Sequence, residues 1–325
     1  MIQGIHPGLF PIGDGKRAQV DGRGVNAVIG EAEIQRLAGK WGVDPMLVDL
    51  DYVLGCFLAS LYRREWAKDL VFKGGTCLRK CYYPGYRFSE DLDFTAIHSL
   101  NAQELKERVM EVIRIAEDIW QIDFSVRPIK VDILEDEYGK ETYRVRIYYR
   151  GPLRRAGDPR AIRMDVTADE TVAFQPAWRA IIHPYSDVEL LSDIRVPCYD
   201  LLEILAEKIR ALAGQRRYAI ARDLYDVGQL LKRAVVDLDR LVEALPHKMA
   251  AKGLPSAIDI VRLESRREDF RADWQRNLVY LLPPDTGADF DSAWDETLKF
   301  LSQVAQRVGS IHEDRGSDTG NCLAS

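Results

Sequence analysis

The stretch that decides the fold is a glycine step followed by an acidic strand: Lys73-Gly74-Gly75-Thr76, then Arg87-Phe88-Ser89-Glu90-Asp91-Leu92-Asp93-Phe94. Side chains alternate between the faces of a strand, so Asp91 and Asp93 share one face while Leu92 and Phe94 pack behind it. At roughly 3.3 Å of rise per residue the two Cα atoms lie about 7 Å apart, and the carboxylates repel each other without a counter-charge. The pattern therefore predicts a divalent cation, and oxygen-only ligands favour Mg²⁺ or Mn²⁺ over zinc.

The glycine step lies between a short apolar strand, residues 69–72, and a predicted short helix. Glycine lets backbone N–H groups approach a phosphate closely, and a helix N-terminus adds a favourable dipole. Gly74, Gly75 and Thr76 are therefore candidate phosphate-binding residues. A Gly-Gly turn alone is usually a plain tight turn, and Asp-x-Asp alone is usually a solvated edge strand. Their combination in this order predicts phosphoryl or nucleotidyl transfer.

The segments around this motif predict a mixed α/β region. Apolar residues recur at three- and four-residue steps over residues 45–66 and 102–120, which predicts two helices. Three strand-like runs follow, near residues 122–134, 141–150 and 161–168.

From Tyr199 onward the apolar spacing is helical for about a hundred residues. Asp200 and Glu203 fit a capping box at the start of this region, and Gly214 fits a helix end. Further helices are predicted over 219–233, 237–244, 255–280 and 290–307. The expected fold class is α+β. It comprises a nucleotidyltransferase-like α/β domain with N-terminal helices over residues 1–198, a helical domain over 199–308 and a disordered tail over 309–325.

Composition narrows the class of protein. The chain has 325 residues, 46% hydrophobic and 30% charged, with a net charge of −6, which is typical of a globular protein and excludes a globally basic nucleic-acid coat. Five cysteines without a Cys-x-x-Cys pair fit neither a disulfide framework nor a zinc ribbon. Without a membrane-length apolar run, or a secretory signal in residues 1–10, we expect a cytoplasmic protein with no membrane partner.

Gly-Gly-Thr followed by Arg-x-Ser-x-Asp-x-Asp closely resembles the first motif of the AbiEii/AbiGii toxin family, which includes the mycobacterial MenT toxins. These are nucleotidyltransferases of the DNA polymerase β-like superfamily. The resemblance implies a minimal nucleotidyltransferase fold with a helical C-terminal domain, and it implies nucleotide-binding roles for Gly74, Gly75, Thr76, Arg87 and Ser89. It also implies a third carboxylate on a later strand. Met164-Asp165-Val166 matches that description, although Asp165 could instead be a strand-end turn or cap residue.

A second family-like signal lies in the helical region, where a Lys-x-x-Ala pattern at Lys208 precedes an Arg-Asp-x-x-Asp pattern at Asp223 and Asp226. The resemblance implies functional roles for the lysine and one of these aspartates, without deciding which. Lys208 could bind the triphosphate and also contribute to nucleotide binding, while Asp223 could orient it or act as a base. The alternative is a structural ion pair that joins two helices.

Residues 144–163 carry seven arginines and one acidic residue, a local net charge of +6 in an acidic chain, with tyrosines interleaved. Arginines beside aromatic rings suit phosphate contacts and base stacking, so Arg150, Arg154 and Arg155 are candidate RNA-binding residues. The alternative is a solvated basic strand that pairs with the acidic stretch 135–137.

Taken with the resemblance, the residues predict a Mg²⁺-dependent toxin that transfers a nucleoside monophosphate from an NTP to RNA, with tRNA the favoured acceptor. Asp91, Asp93 and Asp165 would hold the metal, and Lys208 and Asp223 would complete the catalytic set. The resemblance further implies phage defence and neutralisation by a cognate antitoxin. Two alternatives remain: an NTP-binding growth inhibitor without transfer, and a toxin that modifies a protein hydroxyl.

Overall fold

The computed structural model describes residues 28–135, 141–168, 170–215, 218–255 and 257–318. Its α+β architecture is a seven-stranded mixed sheet combined with helices, as predicted. The strands in chain order are β1 (Leu70–Lys73), β2 (Asp91–Ala96), β3 (Lys130–Glu135), β4 (Glu141–Tyr149), β5 (Arg160–Thr167), β6 (Ala177–Ala180) and β7 (Arg195–Cys198). The helices before the last strand are α1 (Glu31–Trp41), α2 (Pro45–Leu61), α3 (Gly74–Cys77) and α4 (Ala102–Trp120).

The strand order is β3-β4-β5-β2-β1-β7-β6. Strand β2 lies in the middle, antiparallel to β1 and parallel to β5. Strand β4 is antiparallel to both β3 and β5. The acidic strand is therefore flanked by the glycine step on one side and by Asp165 on the other.

Helices α2 and α4 cover one face of the sheet. On β4 the odd-numbered side chains Tyr143, Val145, Ile147 and Tyr149 are buried on this face. The rings of Phe57, Phe124 and Tyr149 form a chain of contacts from α2 to the sheet, with centroids 6.3 and 6.4 Å apart. The bounds predicted for α4 are confirmed, whereas α2 ends at Leu61 rather than at 66.

The C-terminal part is helical: α5 (Leu201–Arg210), α6 (Ala221–Arg233), α7 (Leu238–Ala250), α8 (Ile260–Ser265), α9 (Arg267–Asp273) and α10 (Phe290–Asp318). Asp200 caps α5 through the Leu202 N–H, but Glu203 accepts from Ala173 and Phe174 instead of completing a capping box. The expectation of one helix over 255–280 is wrong, because Arg266 leaves helical geometry between α8 and α9.

The last helix runs past residue 308, the predicted end of the helical domain. Helix α10 continues to Asp318, into the segment predicted as a tail, and the disordered tail stays a prediction. Residues 319–325 and 1–27 lie outside the described part.

One buried cluster of apolar side chains extends from Ile29 to Val308 and joins the sheet region to the helical region. The boundary predicted at residue 198 falls between β7 and α5, where strands give way to helices. The division into two domains stays a prediction. Among the described residues, no helix combines the length and apolarity needed to cross a membrane.

Candidate active site

The glycine step comprises the last residue of β1 and the start of α3, and it lies directly against the acidic strand. Gly74 has a φ of +78°, and a Cβ atom there would lie 2.7 Å from Oδ2 of Asp93. A Cβ atom on Gly75 would collide with the guanidinium of Arg87. Both positions therefore require glycine, for backbone conformation and for close approach. The buried Thr76 hydroxyl donates to the backbone carbonyl of Asp91, which ties the step to the strand.

Three carboxylates share the sheet face opposite α2 and α4. Asp93 is directly opposite Asp165 in the parallel pairing of β2 with β5, and Asp91 lies two residues earlier on the same side. Burial and, to a smaller extent, the nearby charges of Asp91 and Asp165 together raise the pKa of Asp93 to about 6, although Lys73 and Lys208 act to lower it. The site therefore holds mutually repelling negative charge that a cation would relieve.

Two of these carboxylates are bound by arginines. The guanidinium of Arg144 holds Asp165 through two bonds, Nε to Oδ1 at 2.9 Å and Nη2 to Oδ2 at 2.6 Å. Arg163 forms an ion pair with Asp91. Within the described residues, no group of three or more acidic, histidine or cysteine side chains is arranged to hold a metal ion. The carboxylates therefore have the donor chemistry of a cation site, but arginines engage two of them.

The lysine and aspartates of the helical region meet beside this face. Nζ of Lys208, on α5, lies 2.6 Å from Oδ1 of Asp223 and 2.9 Å from Oδ2 of Asp226, both on α6. Asp226 is fully buried and also accepts two bonds at 2.7 Å from Arg87 and one at 2.9 Å from the Tyr86 hydroxyl. Burial alone would raise the pKa of Asp226, but the charges of Arg87 and Lys208 hold it well below its usual range.

The two helical aspartates thus have different positions. Asp223 lines the cavity of the site, whereas Asp226 lies beneath it and joins α6 to the segment before β2. Because Asp226 is enclosed by its partners, the geometry favours Asp223 as the aspartate that a ligand would meet. Lys208 is held by both.

A cavity of about 390 Å³ brings most predicted site residues together: Gly74, Gly75, Asp93, Asp165, Lys208 and Asp223. Its wall also contains charged residues that sequence reasoning missed: Lys73, Glu170, Glu207, Arg210 and Lys252. Lys73 is the first residue of the glycine step and lies opposite Asp93 in the β1–β2 ladder. Its position in the motif could therefore have predicted that it belongs to the site. Glu207 and Arg210 lie on α5, whereas Glu170 and Lys252 lie outside the named helices and strands, and the spacing of these four residues does not predict a shared site.

Asp91, Thr76, Arg87 and Ser89 do not line the cavity. The last three are buried, at 1%, 2% and 7% exposure, and Thr76 and Arg87 bond to protein groups of the site. Their predicted nucleotide-binding roles stay predictions, and the geometry supports positioning roles for Thr76 and Arg87.

The candidate RNA-binding residues lie at the other end of the sheet. Arg150, Arg154 and Arg155 line a separate cavity of about 300 Å³ together with Met46 and Asp49 of α2. This cavity includes Tyr149, so it belongs to the sheet face opposite the carboxylates. Strand β5 begins at its rim, five residues or about 16 Å before Asp165.

The seven arginines of the basic segment therefore do not form one surface. Arg144 and Arg163 bond the site carboxylates, and Arg160 donates to the Met46 carbonyl at 2.6 Å. Arg146 lies 3.4 Å from Asp132 of β3. Among the described residues these arginines pair with other partners, and the alternative of pairing with 135–137 stays a prediction for residues 136 and 137, which lie outside the described part.

Comparison with known proteins gives one family and several similar structures. A family model described as nucleotidyl transferase AbiEii toxin, type IV TA system, matches residues 56–296. JHP933 from Helicobacter pylori is 19% identical, with a TM-score of 0.48, and the match covers 85% of this chain and 99% of that one. MenT4, a nucleotidyltransferase toxin from Mycobacterium tuberculosis H37Rv, is 22% identical, with a TM-score of 0.48 and coverages of 86% and 99%. Comparison with curated proteins gives no match.

Proposed function

Because this chain belongs to the AbiEii family of nucleotidyl transferase toxins, we propose that it transfers a nucleoside monophosphate from an NTP to an RNA acceptor, with tRNA favoured. The observation that carries the proposal is the convergence of four features in one cavity: the glycine step, Asp93, Asp165 and Lys208. Nucleotidyl transfer needs a phosphate cradle, carboxylates for divalent cations and a positive charge for the leaving pyrophosphate, and these residues supply all three.

Asp91, Asp93 and Asp165 would hold Mg²⁺ or Mn²⁺. The three side chains share one sheet face and offer only carboxylate oxygens, which suit these hard cations. The bound cations would supply charge neutralisation at the reacting phosphate and activation of the attacking hydroxyl.

The remaining residues bind and orient the nucleotide. Gly74 and Gly75 line the cavity, and their missing side chains leave the backbone there close to Asp93 and Arg87, so their N–H groups are the candidates for phosphate contacts. Lys208 and Lys73 add two ammonium groups to the same wall, and point charges of this kind suit a triphosphate. Asp223 holds the ammonium of Lys208 at 2.6 Å and so fixes the direction in which it meets the phosphates.

The direct test is transfer from each of the four NTPs, labelled on the α-phosphate, to total tRNA, with Mg²⁺ or with EDTA. We expect label in RNA only with Mg²⁺ and only with wild-type protein, and no label with Asp93→Asn. An exposed acid on α4, Asp118, provides the matched control, and Asp118→Asn should transfer label at the wild-type rate.

Other outcomes would assign other functions. Label in protein would identify a toxin that modifies a protein hydroxyl, and NTP binding without any label would identify an inhibitor that acts by binding. The family description also implies an antitoxin, and we propose that one encoded beside this chain counteracts it in the cytoplasm.

Arg150, Arg154 and Arg155 lie on the opposite face from the carboxylates, so any RNA contact there involves parts of the acceptor away from the reacting end. The double change Arg154→Gln and Arg155→Gln should lower the salt slope of RNA binding by up to about 1.4, at about 0.7 per phosphate contact. NTP affinity should not change. An unchanged slope would exclude this loop from RNA binding.

A further inference from the structure

The sheet face that bears the carboxylates presents its charges in rows set by strand register. One row crosses the sheet as Asp132, Arg144, Asp165, Asp93 and Lys73, each directly opposite the next. The adjacent row, two residues away along each strand, is Lys130, Arg146, Arg163 and Asp91. The second row therefore contains three consecutive cations, about 7 Å from the row of the metal-binding candidates.

The cationic row is open to solvent, and without nearby acidic residues the repulsion between its charges would destabilise the sheet. Lys130, Arg146 and Arg163 have side chains that are 57%, 43% and 44% exposed. Like charges directly opposite each other destabilise neighbouring strands. Here Asp132 lies near both Lys130 and Arg146, at 2.9 and 3.4 Å, and Asp91 pairs with Arg163.

The pairs of Arg144 with Asp165 and of Arg163 with Asp91 use oxygens that a divalent cation needs. Both pairs are partly exposed. In the first pair the side chain of Arg144 is 30% exposed and that of Asp165 is 16% exposed. In the second pair the side chain of Arg163 is 44% exposed and that of Asp91 is 20% exposed. Exposed ion pairs contribute little free energy, which applies best to the single bond of Arg163 with Asp91. The bidentate pair of Arg144 with Asp165 is the stronger of the two, and a divalent cation would displace it through its higher charge.

Resting on the proposed function, we propose that cation binding releases Arg144 and Arg163, and that the released guanidinium groups bind phosphates of the RNA acceptor beside Arg146 and Lys130. Before the cation binds, the arginines neutralise the carboxylates and the face carries little net charge. Afterwards the cation neutralises the carboxylates, and a row of guanidinium and ammonium groups faces the solvent next to the reacting phosphate. The acceptor thus binds well only to protein loaded with the cation.

The test measures RNA binding without transfer. A fluorescein-labelled single-stranded RNA is titrated with wild-type protein in EDTA and in Mg²⁺, at matched ionic strength and without NTP. Free Mg²⁺ competes for RNA phosphates and weakens ordinary electrostatic binding. We expect the opposite: at 0.1 M salt each released arginine strengthens binding by about fivefold, and the salt slope becomes steeper by about 1.4 for two.

Three variants separate release from other effects of Mg²⁺. Asp91→Asn frees Arg163 without a cation, so RNA binding in EDTA should already be about fivefold stronger than in wild type. Arg144→Gln with Arg163→Gln should abolish the strengthening by Mg²⁺. Arg114→Gln removes an exposed arginine on α4, which packs against α2, and should behave as wild type. Melting temperatures establish that each variant is folded.

Two results would overturn the inference: Mg²⁺ that weakens RNA binding equally in wild type and in the arginine double variant, or Asp91→Asn that binds RNA in EDTA no better than wild type. If the protein transfers label to RNA but Mg²⁺ has no effect on RNA binding, the release of Arg144 and Arg163 is refuted and the proposed function stands. Absence of transfer to any RNA refutes the proposed function separately, and label in protein instead would assign this face to a protein acceptor.

Discussion

Replacing Asp93 by asparagine in metal-free protein is expected to raise the free energy of unfolding while it abolishes nucleotidyl transfer. The amide has nearly the shape of the carboxylate, so the contact with Gly74 is kept. The charge is what changes. Burial and the charges of Asp91 and Asp165 raise the pKa of Asp93 from 3.8 to about 6, so the ionised side chain opposes folding.

The size of the effect follows from linkage. The pKa of Asp93 in the folded protein is about two pH units above its ordinary value, and each pH unit corresponds to about 1.4 kcal/mol. Above pH 6 the ionised carboxylate therefore lowers the free energy of unfolding by roughly 3 kcal/mol. Asp93 is partly exposed, and solvent screening reduces this to about 1–3 kcal/mol. Because the folded-state pKa is the higher one, wild-type stability falls relative to the unfolded chain as pH rises from about 4 to about 6. The advantage of the variant should therefore be greatest above pH 6 and about half as large at pH 5.

Denaturant unfolding of wild type, Asp93→Asn and the control Asp118→Asn, each in EDTA at pH 5 and 7.5, measures this directly. The control should match wild type at both pH values. A variant that is no more stable than wild type at pH 7.5, or whose advantage does not shrink at pH 5, would refute the argument that this carboxylate is held against repulsion. Saturating Mg²⁺ should reverse the order, because only wild type keeps the full ligand set.

Three further predictions concern the charges around the cavity. Lys208→Ala should lower the melting temperature, because the buried carboxylates of Asp223 and Asp226 lose a partner, and it should also weaken NTP binding per folded molecule in equilibrium titrations; unchanged NTP binding would show a purely structural lysine. Asp226→Ala should cost about 3–5 kcal/mol in denaturant unfolding, because Arg87 is left buried and unpaired, while Asp223→Ala should cost clearly less. Burial would raise the pKa of Glu170, but the charges of Lys73 and Arg210 lower it to about 2. The ionised carboxylate therefore stabilises the fold, and this stability is lost as pH falls from about 4.5 to 2. Glu170→Gln should make the free energy of unfolding less dependent on pH over this range.

The sequence carried enough information for the local features of the site. Alternation alone placed Asp91 and Asp93 on one face, and the 3.6-residue period of α4 predicted both of its ends. Strand alternation and helical periodicity depend only on residues close together in the chain, so they can be predicted without knowing the tertiary structure.

The arginine pairs could not be predicted, because they depend on register between strands that are distant in sequence. Arg163 meets Asp91 across 72 residues, and the parallel pairing of β5 with β2 decides which side chains oppose each other. Without that register, Arg144 and Arg163 could only be counted as part of a basic segment. A shift of one residue would have pointed both away from the carboxylates.

The bond between Arg87 and Asp226 also affects when the protein becomes active during synthesis. The two residues are 139 positions apart, so a growing chain contains the glycine step and the acidic strand long before α6 exists. At roughly 5–20 residues per second, the ribosome adds Asp226 about 7–28 s after Arg87. During that interval Arg87 lacks the carboxylate that pairs with it in the folded protein, and Lys208 is added only near its end. We therefore expect transfer activity only after α6 has been translated, and chains truncated before α6 should transfer no label.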